Sequence, residues 1–253
     1  MLNRTALSVM LISSMLLTVS TPLKAELIDI DQGVIYETIG EQYWFQDLSC
    51  FINKTYDEQV DTVSDLGGNW RMANEGDVYN LWDYSSMEIG EAFSPSYLVT
   101  HSYDSTMSTG WRGRADYIFS DNTINGFTHA TPNIWKENDI WHDKIIMGTY
   151  PNTASGFLGA WVVTDTCPLT SLELADSLYR RIEESAIPRK IKKSYLNIAN
   201  KIIGCIKRSK TNTLQEINTL SLDIQEGLDS GDVDMDTGSA LMTMLDIMRI
   251  SEI

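Results

Sequence analysis

The chain has 253 residues, a formal net charge of −16 and an apolar content of 43%. That length holds more than one typical domain and a sizeable core. An acidic excess of this size argues against general nucleic-acid binding, which needs clustered Lys and Arg against phosphates, and favours solubility.

The first residues have a pattern of their own. Arg4 supplies a positive start, and Ala6 to Val19 is an uncharged run containing Val9, Met10, Leu11, Ile12, Met15, Leu16 and Leu17. Thr18, Ser20, Thr21 and Pro22 then raise the polarity before Leu23-Lys24-Ala25. This reads as a secretory signal peptide over 1–25, cleaved after Ala25, and predicts a secreted or periplasmic bacterial protein. The alternative is an uncleaved anchor, but a spanning helix needs ~20 apolar residues and this run is shorter. Cleavage removes Arg4 and Lys24 and no acid, which takes the charge from −16 to −18. No later stretch is apolar enough to predict a membrane span.

Leu27-Ile28-Asp29-Ile30-Asp31 and Val34-Ile35-Tyr36-Glu37-Thr38 read as two strands around a turn at Gln32-Gly33, and Tyr43-Trp44-Phe45 as a third. Tyr56 to Leu66 predicts a helix: Thr55 caps it, Glu58 completes a capping box, Val60, Val63 and Leu66 recur at helical spacing, and Gly67-Gly68 ends it. A second short helix follows Asn74, with Asp77 at its third position and Val78, Leu81 and Trp82 on one face. Beyond Gly90 the pattern is strand and loop, closing with a run from Leu158 to Val163 suited to a central strand.

All seven tryptophans (44, 70, 82, 111, 135, 141, 161) precede Cys167-Pro168. The remainder is helical in pattern. Leu174, Leu178 and Ile182 space one helix; Ile191, Tyr195, Ile198, Ile202 and Ile206 a second; Leu214 to Leu228 a third; Ala240 to Met248 a fourth. Short connections between them predict an antiparallel bundle. The expected architecture is α+β: a mixed α/β domain over 26–168, then a small antiparallel helical bundle over 169–253.

Charge in the helical half is segregated. Positions 180, 181, 189, 190, 192, 193, 201, 207, 208 and 210 are Lys or Arg, whereas from Thr211 onward Arg249 is the one cation among nine acids. Such runs commonly form solvated faces or pack beside opposite charge. The sharper reading makes Arg189, Lys190, Lys192 and Lys193 an anion-binding face for acidic polysaccharide or a membrane surface.

The three cysteines all follow residue 25, and an oxidising compartment permits a bridge. Cys50 and Cys167 stand near the two ends of the aromatic-rich region, where a disulfide would add ~4 kcal/mol by loop closure. Three reduced, buried thiols are the other possibility. Cys205 lies in a helical pattern and is left over.

Asn69-Trp70-Arg71-Met72-Ala73-Asn74-Glu75-Gly76-Asp77-Val78 resembles the Trp-Arg signature of secreted bacterial domains of the DUF1566 type, and a related region of PEP-CTERM proteins. The approach through Gly33-Val34-Ile35-Tyr36 and Tyr43-Trp44-Phe45-Gln46-Asp47-Leu48, and the later Gly159-Ala160-Trp161-Val162-Val163, extend the resemblance over 27–165. It implies a C-type-lectin-like fold and, for some members, glycan binding or adhesion; fold alone does not fix function. Ala73 for Pro and Asp77 for Glu depart from the signature, and no Pro-Glu-Pro sorting tail follows the last helix, so exosortase anchoring is not expected. The helical half is similar to the FIMAH-type module over 172–250, through Ser194-Tyr195-Leu196, Ala199-Asn200-Lys201, Ile217-Asn218-Thr219-Leu220, Ile224 and Gly231-Asp232-Val233. That resemblance implies an accessory role in attachment or partner contact.

No reaction is legible. Asp232, Asp234 and Asp236 alternate as calcium ligands do, but the glycine and glutamate of an EF-hand loop are missing, and helix capping explains them more simply. His101, His129 and His142 are isolated, so no zinc site is expected, and no other metal or cofactor. No nucleophile elbow, phosphate loop or dinucleotide fingerprint occurs. Trp111, Arg112, Arg114, Trp135, Trp141 and His142 are the candidate ligand-binding residues, since aromatic rings stack on sugar faces and Arg pairs with uronate or sulfate. Filling the core is the competing role for each tryptophan. The expectation is a non-catalytic surface or matrix binding protein for a glycan or a cell-envelope protein. A secreted polysaccharide hydrolase is the second reading, and a purely structural interaction protein the third.

Overall fold

A computed structural model describes residues 26–82, 84, 86–93, 99–103, 106–116, 128–137, 140–149 and 159–251. The segment read as a signal peptide lies outside the described residues. In chain order the elements are β1 (Leu27–Asp31), β2 (Val34–Glu37), β3 (Gln42–Phe45), a 3-10 turn (Leu48–Phe51), α1 (Tyr56–Asp65), β4 (Arg71–Met72), α2 (Glu75–Trp82) and α3 (Ser86–Ala92). Then come β5 (Val99–Tyr103), β6 (Thr106–Asp116), β7 (Thr128–Glu137), β8 (Ile140–Thr149), β9 (Gly159–Ala160) and β10 (Val162–Thr164). Four long helices follow: α4 (Ser171–Glu184), α5 (Arg189–Ile206), α6 (Thr213–Ser230) and α7 (Met235–Ser251). The class is α+β.

The first sheet has the order β1-β2-β3-β10-β4 and is antiparallel throughout. The β1–β2 hairpin turns through Asp31, Gln32 and Gly33, all with positive φ. β10 enters from the far end of the chain and lies between β3 and β4, with Val163 opposite both Trp44 and Arg71. The single long strand expected over 158–163 is divided at Trp161: β9 pairs with β6, while β10 joins the first sheet. Gly159 is required there, because a β-carbon on it would stand 2.2 Å from the Leu48 carbonyl oxygen.

Side chains alternate between the faces of this sheet. Ile35, Trp44 and Val163 take one face and build a core with Val78, Leu81, Ile89 and Phe93 of α2, α3 and the residue after it. Trp161 is 1% exposed and lies at the centre of that core, edge-on to Trp44, Trp82 and Phe93 at ring-centroid distances of 6.3, 5.9 and 5.1 Å. The other face carries Val34 and Tyr43, which join Ile28, Ile30 and the apolar stripes of α4 to α7 in the largest core. Farther along, Met72 and Val162 pack on Val63 of α1. The composition change at residue 168 therefore coincides with the passage from sheet to helix, while the hydrophobic core runs across it.

The helices follow local rules. Thr55 and Thr170 begin α1 and α4 with complete capping boxes, to Glu58 and Glu173. Gly231 closes α6 in the left-handed conformation, and Asp234 accepts the Thr237 N–H at the start of α7. Neighbours in sequence pack together, and α4 also meets α7. Two elements escape the sequence pattern: β4 is only two residues long, and α3 begins in the stretch between Trp82 and Gly90 to which that pattern assigns no element. At the seam, Ser177 Oγ donates to Asp31 at 2.9 Å, Arg180 pairs with the same carboxylate, and Arg181 donates to the Asp29 carbonyl.

The second sheet, β5-β6-β7-β8, is an antiparallel meander. It meets α3 through β7 and β8, and α2, β4 and the 3-10 turn through β6. Among the described residues, no helix is long and apolar enough to cross a membrane.

Trp161 joins three other aromatic rings into one core, so its removal leaves a large void. Trp161→Ala is expected to cost about 3–5 kcal/mol, measured as a fall in the urea midpoint at unchanged m-value; a loss below 1 kcal/mol would remove Trp161 from that role.

Candidate functional site

The residues expected to bind ligand fall on three consecutive strands. Trp111, Arg112 and Arg114 are in β6, Trp135 in β7, and Trp141 and His142 in β8. Register sorts them. Trp135 pairs with His142 across β7–β8 and with Gly110 across β6–β7; Arg112 pairs with Asn133. Trp111 pairs with Ile134, and Trp141 with Lys136. Positions two apart along a strand, and positions directly opposite, share a face. Arg112, Arg114, Trp135 and His142 thus occupy positions of one face, and Trp111 and Trp141 positions of the other. A single cleft ringed by all three tryptophans is not what this register builds.

Lys192 of the proposed anion face is engaged in the fold. Its ammonium donates to the carbonyls of Glu183 and Ser185, closing the end of α4. Arg189, Lys190 and Lys193 are exposed around the start of α5. Lys201, one helical face farther on, reaches Glu216 of α6 at 3.8 Å.

Of the two states the sequence leaves open for Cys50 and Cys167, the bridge is absent: both are free thiols, as is buried Cys205. Cys50 Sγ lies 3.4 Å from Asp47, and Cys167 Sγ meets the Leu169 carbonyl. They also belong to separate neighbourhoods. Cys167 packs against the core shared with the helices, whereas Phe51, next to Cys50, packs with α1. Proximity to the ends of a segment in sequence did not bring the two sulfurs together.

The most highly organised polar group is one the sequence only partly announced. Arg71 of β4 forks onto Asp77 of α2 at 2.5 and 3.0 Å, and its second nitrogen reaches Asp165 at 3.4 Å. Gln42 of β3 donates from one amide nitrogen to Asp77 at 2.7 Å and to Asp165 at 2.9 Å. Asn74 and Asp77 exchange side-chain bonds with each other's backbone N–H, capping α2 as its sequence predicts. Burial pushes the Asp77 carboxyl up, but Arg71, the Asn74 N–H and Gln42 outweigh it and hold it below its ordinary value. The Arg71 guanidinium is held up, chiefly by its bonds to Asp77.

Beside this group Glu37 is wholly buried and directly opposite Gln42. One carboxylate oxygen accepts the Gly40 N–H at 2.8 Å. Burial pushes the Glu37 carboxyl up, against the Gly40 N–H and the Trp44 indole, and the nearby Asp77 charge pushes the same way as burial. Sequence reasoning missed Glu37, Gln42 and Asp165. The available signal was an acid at an inward-facing position of the second strand, where alternation calls for an apolar residue.

Among the described residues, no group of three or more His, Cys, Asp or Glu is arranged to hold a metal ion. Comparison with protein-family models, with curated proteins and with solved structures finds no match for this chain.

Asp77 ionises more easily folded than unfolded, so its contribution to stability is present above the unfolded carboxyl value and is lost as pH falls through the folded one. Stability should decline below about pH 4, and in Asp77→Asn that part of the decline should vanish. The substitution itself should cost about 2 kcal/mol at pH 7, less than the 3–5 of a fully buried pair, because Arg71 is 37% exposed and keeps Asp165 as a partner. Urea titrations of both forms between pH 3 and 7 measure this.

Proposed function

We propose that this chain is an exported, non-catalytic binding protein of the cell surface or matrix. In this reading its first part is lectin-like, its ligand is a glycan carrying acidic groups, and the helices form an accessory bundle for attachment. The observation that carries the proposal is the strand register of β6, β7 and β8, which sets Trp135 and His142 opposite each other with Arg112 and Arg114 at positions of the same face. An aromatic ring offers a stacking surface to the apolar face of a pyranose, and guanidinium groups offer paired donors to a carboxylate or sulfate. In an antiparallel meander such positions recur at fixed spacings along adjacent strands.

One further feature supports binding over turnover. The Arg71 group, with Asp77, Asp165 and Gln42, spends its donors on internal partners and joins three elements of the fold to the residue after β10. Export rests on the pattern of residues 1–25, and the expected ligand follows from that compartment, where glycans and envelope proteins are the abundant partners.

The test is a glycan array probed with the full chain, followed by analysis of the bound glycan for cleavage. Binding to uronate- or sulfate-bearing glycans without product release is expected. Trp135→Ala and Arg112→Ala should each weaken it by about tenfold or more, with Trp141→Ala, at a position of the other face, close to wild type. Release of a shortened glycan would replace this reading with a hydrolase; capture of an envelope protein with no glycan bound would replace the ligand.

A further inference from the structure

The three histidines of the chain all lie on the second sheet, and strand register sets them on one face. His142 is opposite Trp135, which is opposite Gly110. His101 of β5 is opposite Ser108, two residues before Gly110, and His129 is opposite Asp116, four residues beyond Arg112. Positions directly opposite and positions two apart share a face, so all three belong with Arg112, Arg114 and Trp135. Across β6, β7 and β8 one row of that face reads Arg112, Asn133, Lys144, and the next reads Gly110, Trp135, His142. Neighbouring strands are about 5 Å apart and alternate residues about 7 Å apart along a strand, which confines Arg112, Lys144 and His142 to an area about 10–12 Å across.

The two faces differ in chemistry. The face of Trp111 has Met107, Ala130, Ile134, Ile145 and Met147 at its positions, with Lys136 and Asp143 as its charges. That is the composition of the side by which a half-covered antiparallel sheet packs on its neighbours. The face of the histidines has Arg112, Arg114 and Lys144 against Asp116 and Glu137, a cationic excess in a chain of net charge −16. Ile140, at the start of β8 and at a position of this second face, is 61% exposed. Helix α3 meets β7 and β8 and carries Glu88 and Glu91; α2, β4 and the 3-10 turn meet β6 and carry Glu75, Asp77, Tyr79, Arg71 and Cys50. The apolar face is the one that fits against these elements, which sets their acids across the sheet from the histidines.

We propose that this face binds its acidic glycan under the control of pH: Arg112, Asn133 and Lys144 hold a uronate or sulfate group beside Trp135, and protonation of His101, His129 and His142 tightens the hold. The inference rests on the glycan-binding reading of the same strands. An imidazole gains its proton between about pH 8 and about pH 5. A sulfate, or a uronate with a carboxyl value below about 4, stays ionised over that range, so the charge that changes is the protein's. Each proton adds a cation to the face, and an anion bound there favours its uptake, so affinity rises as pH falls and binding takes up protons. At His129 the opposite position holds Asp116, whose negative charge offsets part of the gain; most of it falls to His142, opposite Trp135, and to His101.

The test is titration calorimetry of the full chain with dextran sulfate, polygalacturonate and neutral dextran at about pH 5.5 and about pH 8, near the limits of imidazole titration. Affinity for the two acidic polymers is expected to be about tenfold higher at the lower pH. Net proton uptake should appear midway between them as a heat that depends on the ionisation enthalpy of the buffer. With His101→Gln, His129→Gln and His142→Gln combined, the ratio of the two affinities should fall to about two or less. Lys144→Ala should weaken binding about tenfold at both pH values, and Lys136→Ala, at a position of the other face, should not. Equal affinity at both pH values, or no proton uptake by the wild-type chain, overturns the pH control and leaves the glycan reading in place. An acid gain that persists in the triple variant does the same, since it would belong to acids elsewhere on the chain. Binding to neutral dextran as strong as to the acidic polymers removes the anionic group from the site and overturns the inference. Absence of binding to all three polymers at both pH values overturns the glycan reading and this inference with it. If the triple variant does not fold, proton uptake by the wild-type chain decides.

Discussion

The fork of Arg71 on Asp77 is the contact on which the first half of this protein depends. A carboxylate taken out of water must be paired or protonated, and here a single guanidinium pairs it while Asn74 and Gln42 saturate its remaining lone pairs. The consequence is geometric. Because Asp77 stands at the third position of α2, the fork fixes where that helix begins, and so places Val78 and Leu81 over Trp44 and Trp161. Asp165 brings in the residue that follows β10, so the arrival of a strand from the far end of the chain is held by the same arginine. Trp70, its neighbour, turns away to stack edge-on against Phe45 at 5.7 Å.

The sheet that results is covered on both faces. One side receives α2 and α3, the other α1 and the four carboxyl-terminal helices, with Ile28, Ile30, Val34 and Tyr43 shared between sheet and helices in one continuous core. The polar bonds of Ser177, Arg180 and Arg181 to the β1 hairpin then set the orientation of that contact. Asp31 and Gln32 adopt φ of 87° and 53°, a conformation that disfavours residues with a β-carbon. Their side chains explain the tolerance. Asp29 accepts the Asp31 N–H, Asp31 accepts the Gln32 N–H, and Asp31 is also the anchor for α4. A hairpin that a glycine would make more comfortably is thus retained where an acid joins sheet to helix.

What could be read in the sequence is local. Thr55 with Glu58, Asn74 with Asp77, and the apolar spacing of Leu174, Leu178 and Ile182 involve residues three or four apart, within one turn of helix. Alternation in Leu27 to Tyr36 and the turn at Gln32-Gly33 are equally local, and the hairpin forms where they place it. The sequence by itself therefore determined α1, α2 and the four long helices, the caps of α1, α2 and α4, the first hairpin and the acidic net charge. Only the tertiary structure decided which of these meet. Gln42 reaches Asp77 across 35 residues and Asp165 across 123, and Arg71 reaches Asp165 across 94. No periodicity encodes those separations, because they follow from β10 entering between β3 and β4. The same holds for the cysteines, which bracket a segment without meeting, and for the three tryptophans of the second sheet, which register divides between two faces. Short-range hydrogen bonding and periodicity act through a few bonds of chain, whereas a site is made where distant strands close on one another.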